Sequence, residues 1–234
     1  MKVFSRVMTA IAALSLAGAS VASAQVTVGS PNTVQPNNFP FGSSVGFNTF
    51  QQVYGAGLFS GPLTINSISL YNTRGLGNFQ VGTFNLFLST TTVASNAVTN
   101  TPANNRTGAL QAFSTVSYTA GTAVPGVVTF LGLPYSYDPT AGNLLFEVQF
   151  VPNGFNTAPA FFDVVETGDA DRMMVGTASN TSPFFGTNGR ANYGFVTTFD
   201  GPAVSVVPEP GTYAMLGMGL TALLLVSARR RRTN

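Results

Sequence analysis

The 234-residue sequence has no cysteine, no histidine and no tryptophan. Without cysteine no disulfide can staple the fold, so apolar burial must stabilise it. Zinc sites built on His or Cys are excluded. So are Ser-His-Asp and Cys-His nucleophile systems. Charge is scarce as well, at 8 % of residues, and six of the ten basic residues flank apolar runs at the two ends: Lys2, Arg6 and Arg229 to Arg232. Between the ends, residues 25–207 hold four arginines against seven acids, a net charge of −3. A nucleic-acid reader needs a basic patch; this stretch has none, which excludes nucleic acid as a partner.

What remains is apolar or neutral. The chain has 20 phenylalanines, and 28 threonines with 19 asparagines against 18 charged residues. Such a surface is solvated by hydroxyls and amides, as suits a matrix or carbohydrate setting.

Both ends carry routing patterns. Lys2 and Arg6 precede an apolar run over 7–17, and Ala22-Ser23-Ala24 stands before Gln25. A charged n-region, a short apolar region and a small-x-small site predict a secretory signal peptide over 1–24. Signal peptidase would cut after Ala24, once the Sec translocon has threaded the chain. At the other end come Pro208-Glu209-Pro210, then 18 residues without a charge (211–228), then Arg229, Arg230, Arg231 and Arg232. Eighteen helical residues rise about 27 Å at ~1.5 Å each, close to the ~30 Å hydrocarbon core. The spacing predicts a transmembrane helix over 211–228. Arginines after a span favour the cytoplasmic side, so residues 25–207 should lie outside. The two prolines deny the preceding segment a helix and hold it open as an extended strand.

The ordered triple of Pro208-Glu209-Pro210, apolar span and arginine cluster resembles the PEP-CTERM sorting signal of Gram-negative bacteria. The resemblance implies recognition at Pro208, Glu209 and Pro210 by exosortase. It implies a transient inner-membrane anchor, removal or exchange of the tail, and delivery to the cell surface or to extracellular polysaccharide, as in a biofilm matrix. Phe50-Gln51-Gln52-Val53-Tyr54 and the run from Tyr137 to Phe146 also resemble stretches of exported PEP-CTERM bodies. They imply a shared sandwich and no activity.

The 183 residues of 25–207 are enough for one domain with a sizeable core. Leu144, Phe146, Val148 and Phe150 alternate with Leu145, Glu147 and Gln149, the cleanest period-2 pattern present. Residues 45–54 and 83–88 alternate too. In 63–71 the phase shifts by one, which predicts a bulge near Asn66-Ser67. Further strands are expected at 110–118, 127–131, 160–165, 172–176 and 193–199, with an arm and one short edge strand over 26–38. Turn signals such as Gly61-Pro62, Asp138-Pro139 and Pro152-Asn153-Gly154 separate them. The pattern predicts an all-β antiparallel sandwich, jelly-roll in its preferred form. Residues 90–107, poor in large apolar side chains, read as a long surface loop or ragged edge.

Three constellations bear on chemistry. Asp163, Glu166, Asp169 and Asp171 supply hard oxygen ligands within nine residues, a candidate calcium site without the EF-hand spacing. Their alternative is a solvated turn. A glycosidase needs two carboxylates, and Glu147 and Glu166 are the only glutamates in 25–207. Glu147, on the outward side of its strand, reads as solvent-facing. Tyr135, Tyr137, Asn192, Tyr193, Phe184 and Phe185 are candidates for a sugar-binding surface. Asn105-Arg106-Thr107 and Asn180-Thr181-Ser182 match a glycosylation pattern by chance. The expectation is an exported, non-enzymatic structural protein with no cofactor, and a carbohydrate- or calcium-binding module as its alternative.

Overall fold

The computed structural model describes residues 23–31, 37–42, 49–99, 101–165, 171–176, 190–191 and 194–202. The chain divides into a unit of residues 1–203 and a second of 204–234, and all described residues lie in the first.

Among the described residues there are twelve strands: β1 (Ser23–Val28), β2 (Thr49–Tyr54), β3 (Leu63–Tyr71), β4 (Gly82–Thr91), β5 (Gln111–Tyr118), β6 (Val127–Tyr137), β7 (Asn143–Pro152), β8 (Val164–Val165), β9 (Asp171–Gly176), β10 (Arg190–Ala191), β11 (Gly194–Phe195) and β12 (Thr197–Pro202). One sheet has the order β1-β12-β3-β6, the second β10-β9-β2-β7-β4-β5, and a small one pairs β11 with β8. Every pairing is antiparallel. The pairings nest: β1 with β12, β2 with β7, β3 with β6, β4 with β5. Such a nested ribbon, folded over so that β12 meets β3 and β7 meets β4, has the strand order of a jelly roll.

The alternation works as the sequence demands. In β4, Phe84, Leu86 and Leu88 are fully buried, and in β7 so are Leu144, Phe146 and Val148. They meet Ile65, Ile68, Leu70, Phe130 and Phe199 of the facing sheet in one cluster. The sheets touch directly where Tyr54 of β2 meets Phe199 of β12 edge-on at 4.9 Å. The Tyr54 hydroxyl also shares a 2.7 Å hydrogen bond with that of Thr197. The expected bulge is present: the β3–β6 register shifts between Ile65 and Ser67.

Several expectations are corrected. Of the strand expected over 45–54, β2 supplies Thr49–Tyr54, and 43–48 lie outside the described residues. The strand expected at 127–131 continues to Tyr137, past the irregularity opposite Asn66. There Gly132 is required, because a Cβ would lie 2.5 Å from the Phe113 ring. The strand expected at 160–165 is reduced to β8, with Phe162 bridged to Asn37. That at 193–199 breaks into β11 and β12, with Val196 between them. The arm holds β1 as its edge strand, beginning two residues earlier than the expected mature terminus. Beyond it Phe41, outside every strand and fully buried, stacks on Phe130 at 4.9 Å and lies 5.0 Å from Phe84.

Candidate functional site

The expected surface loop over 90–107 is present beyond Thr91, and it also acts as a cover. It carries two short 3-10 turns, Ser95–Ala97 and Pro102–Asn105. Val98 packs against Val53 and Leu145, whose side chains leave the sheet away from the main core. Beneath this cover lies Glu147, fully buried rather than solvent-facing. It does point outward from its strand, but the loop closes over that face.

The carboxylate is fully engaged. Arg106 donates from Nε to Oε2 at 2.7 Å and from Nη2 to Oε1. Gln51 donates to Oε2 at 2.7 Å and Gln149 to Oε1 at 2.8 Å. Asn105, also fully buried, donates to Gln51 Oε1 at 2.8 Å and to the Thr99 carbonyl at 2.9 Å, and accepts from the Thr99 amide at 2.9 Å. Its side chain is thereby committed to the fold. A buried charge is tolerable only when paired and hydrogen-bonded, and this one meets both conditions. Such a carboxylate ties loop to sheet.

Asp163 is buried too, not part of a solvated turn. Its Oδ1 accepts from the Thr73 amide at 3.2 Å and the Thr73 hydroxyl at 3.0 Å. Its backbone amide donates to the Tyr71 carbonyl at 2.8 Å. Glu166 and Asp169 lie outside the described residues, and of Asp171 the backbone is described, as the first residue of β9. Among the described residues no three acids gather as metal ligands.

Two of the three candidate sugar-binding tyrosines belong to the core. Tyr135 and Tyr137 are 7 % and 1 % exposed. The Tyr137 hydroxyl donates to the Gly142 carbonyl at 2.8 Å, and that of Tyr135 is 3.2 Å from the Thr90 hydroxyl. Burial raises the pKa of both, and pushes that of Tyr118 up to about 12. Period-2 alternation places them inward. Asn192, Tyr193, Phe184 and Phe185 lie outside the described residues.

Two routing signals remain. Ala24 and Gln25 are residues of β1, while Ala22 lies outside the described residues, as do Pro208, Glu209, Pro210, the span at 211–228 and Arg229 to Arg232. No helix among the described residues is long and apolar enough to cross a membrane. The tail is identified by its sequence: a family model for the PEP-CTERM protein-sorting motif matches residues 206–232. This is a PEP-CTERM domain-containing protein. The match begins two residues before Pro208 and ends on Arg232, so it takes in the tripeptide, the uncharged run and the arginines together. A PEP-CTERM motif marks an exported protein, one that passes through a membrane and is sorted by exosortase. Among curated proteins no match is found.

Proposed function

We propose that this PEP-CTERM protein is a non-enzymatic structural component of the cell surface or extracellular matrix of a Gram-negative bacterium. The Sec translocon exports it and signal peptidase cuts after Ala24. The span at 211–228 then holds it in the inner membrane, body outward, with Arg229 to Arg232 as the stop. Exosortase acts at or near Pro208-Glu209-Pro210 and releases the sandwich to the surface or its polysaccharide. The catalysis belongs to exosortase, and this chain is the substrate.

The observation that carries the reading is the sorting motif over 206–232. The body supports it: Glu147, one of its two glutamates, is consumed by Arg106, Gln51 and Gln149 under a closed loop. Replacing Pro208-Glu209-Pro210 by three alanines tests it. The expected result is an unprocessed, membrane-held chain; normal size and location would refute the sorting role.

A second reading, a carbohydrate-binding module, is favoured by the outer face of the four-stranded sheet. Hydroxyls pair across it: Thr27 with Thr198 at 2.9 Å, Tyr71 with Thr198 at 2.7 Å and Ser69 with Thr129 at 2.9 Å. Leu131 and Leu133 stand exposed beside them. Glycan-array binding of residues 25–207 supports this reading if saturable, and removes it if absent.

A further inference from the structure

We propose that signal-peptide removal and closure of the sandwich are exclusive: the Ala24–Gln25 bond is open to signal peptidase only until β12 docks on β1. The inference rests on the reading of residues 1–24 as a signal peptide, and adds an order of events to it.

The bond lies inside a strand. β1 spans Ser23–Val28, so the cut falls between its second and third residues. Ala24 is in register with Gly201 and Gln25 with Asp200. A protease that takes its substrate as an extended strand pairs with the backbone N–H and C=O groups of that substrate. In the closed sandwich β1 is a sheet-edge strand: the half of those groups that face β12 form its ladder, so a cleft that must enclose the strand from both sides meets β12 on that side. β12 cannot yield easily, because it lies between β1 and β3. At Gly201 a Cβ would stand 1.6 Å from the Thr64 carbonyl oxygen, so β12 presses on β3 at the level of the cut. Cleavage of the folded precursor therefore requires β1 to open first.

The topology supplies the delay. Among the described residues β1 is the first strand and its partner the last: Thr27 and Thr198, which share a hydroxyl bond, are 171 positions apart. At about 5–20 residues per second, β1 waits roughly 10–30 s for its neighbour to be made. Hydrolysis then consumes one water, leaving a carboxylate on Ala24 and an α-ammonium on Gln25. The ammonium arises across the ladder from Asp200. The mature edge thus gains an opposite charge that the precursor lacks.

The experiment uses the full-length precursor in detergent micelles with purified signal peptidase. It compares folded chain, urea-unfolded chain returned to low urea at the moment of enzyme addition, and a synthetic peptide of residues 15–31. Cleavage of the folded chain is expected to be slower by roughly tenfold or more. The folded Thr27→Pro precursor should recover much of the rate, since edge strands accept proline while losing pairing. Equal rates for folded and unfolded chain overturn the inference. A peptide that is not cut between Ala24 and Gln25 overturns the signal-peptide reading beneath it.

Discussion

Arg106 grips Glu147 through two guanidinium nitrogens across 41 positions of sequence, on the side of the six-stranded sheet that faces away from the main core. The carboxylate is wholly buried, while the arginine side chain keeps 29 % of its surface. Removing the arginine strands the charge beneath a loop that no longer has its anchor. Arg106→Ala should lower stability by about 2–4 kcal/mol, the lower part of the range reflecting the exposed guanidinium and the two glutamine donors that stay. Arg106→Lys should recover only part, because an ammonium cannot make the forked contact. Urea unfolding of residues 25–207 reads both. A loss under about 0.5 kcal/mol for the alanine variant would mean that Asn105 and the valines hold the loop without the ion pair.

Phe41 and Phe155 separate burial from residue type. Phe41 is fully enclosed by Phe84, Phe130, Phe162 and Phe195, and Phe155 is 91 % exposed. Phe41→Ala should cost about 3–5 kcal/mol, and Phe155→Ala should fall within about 0.5 kcal/mol of wild type. Thermal unfolding of the two variants side by side decides it.

Alkali should weaken the fold. Burial raises the pKa of Tyr118 to about 12 and raises those of Tyr135 and Tyr137 from 10.0. A raised folded pKa means that the unfolded chain gives up its protons first. The contribution is complete below pH ~10 and is lost as pH climbs through the folded values. Melting temperature followed from pH 8 to 12, with tyrosinate absorbance recorded in parallel, should fall above pH ~10 as the tyrosines ionise on unfolding. Tyrosines that titrate near their ordinary pKa in the folded protein would contradict the burial.

Asp163 joins Thr73 to the strand that follows it, and that role needs no metal. Asp163→Ala should cost about 1–3 kcal/mol by leaving the Thr73 amide and hydroxyl without their acceptor. The loss should be equal in calcium and in chelator. A calcium-dependent difference would return Asp163 to a cation site.

The inner face of the sandwich was legible in the sequence, because burial there enforces period two. Phe84, Leu86, Leu88, Leu144, Phe146, Val148 and Phe150 follow the two-residue period and are buried as it demands, and the phase break at 66–67 is the bulge. The outer face was not legible. Period two says that Glu147 points away from Phe146 and Val148, but not whether water or protein lies beyond. The cover over Glu147 comes from a loop poor in large apolar residues, held by Asn105 and Arg106 through side-chain hydrogen bonds that leave no periodic trace. Phe41 was missed for a related reason: it fills the core from a turn, where no strand pattern exists to flag it. The sorting tail shows the opposite case. Its information is an order of chemical types along the chain, so it was read from sequence without any fold.

The most direct test of the whole account is the intact mass of the mature protein recovered from its native host. The account predicts a chain that begins at Gln25 and ends at or near Pro208-Glu209-Pro210, without the span and without Arg229 to Arg232. A full-length chain, recovered soluble from the cytoplasm with those arginines still attached, would contradict it.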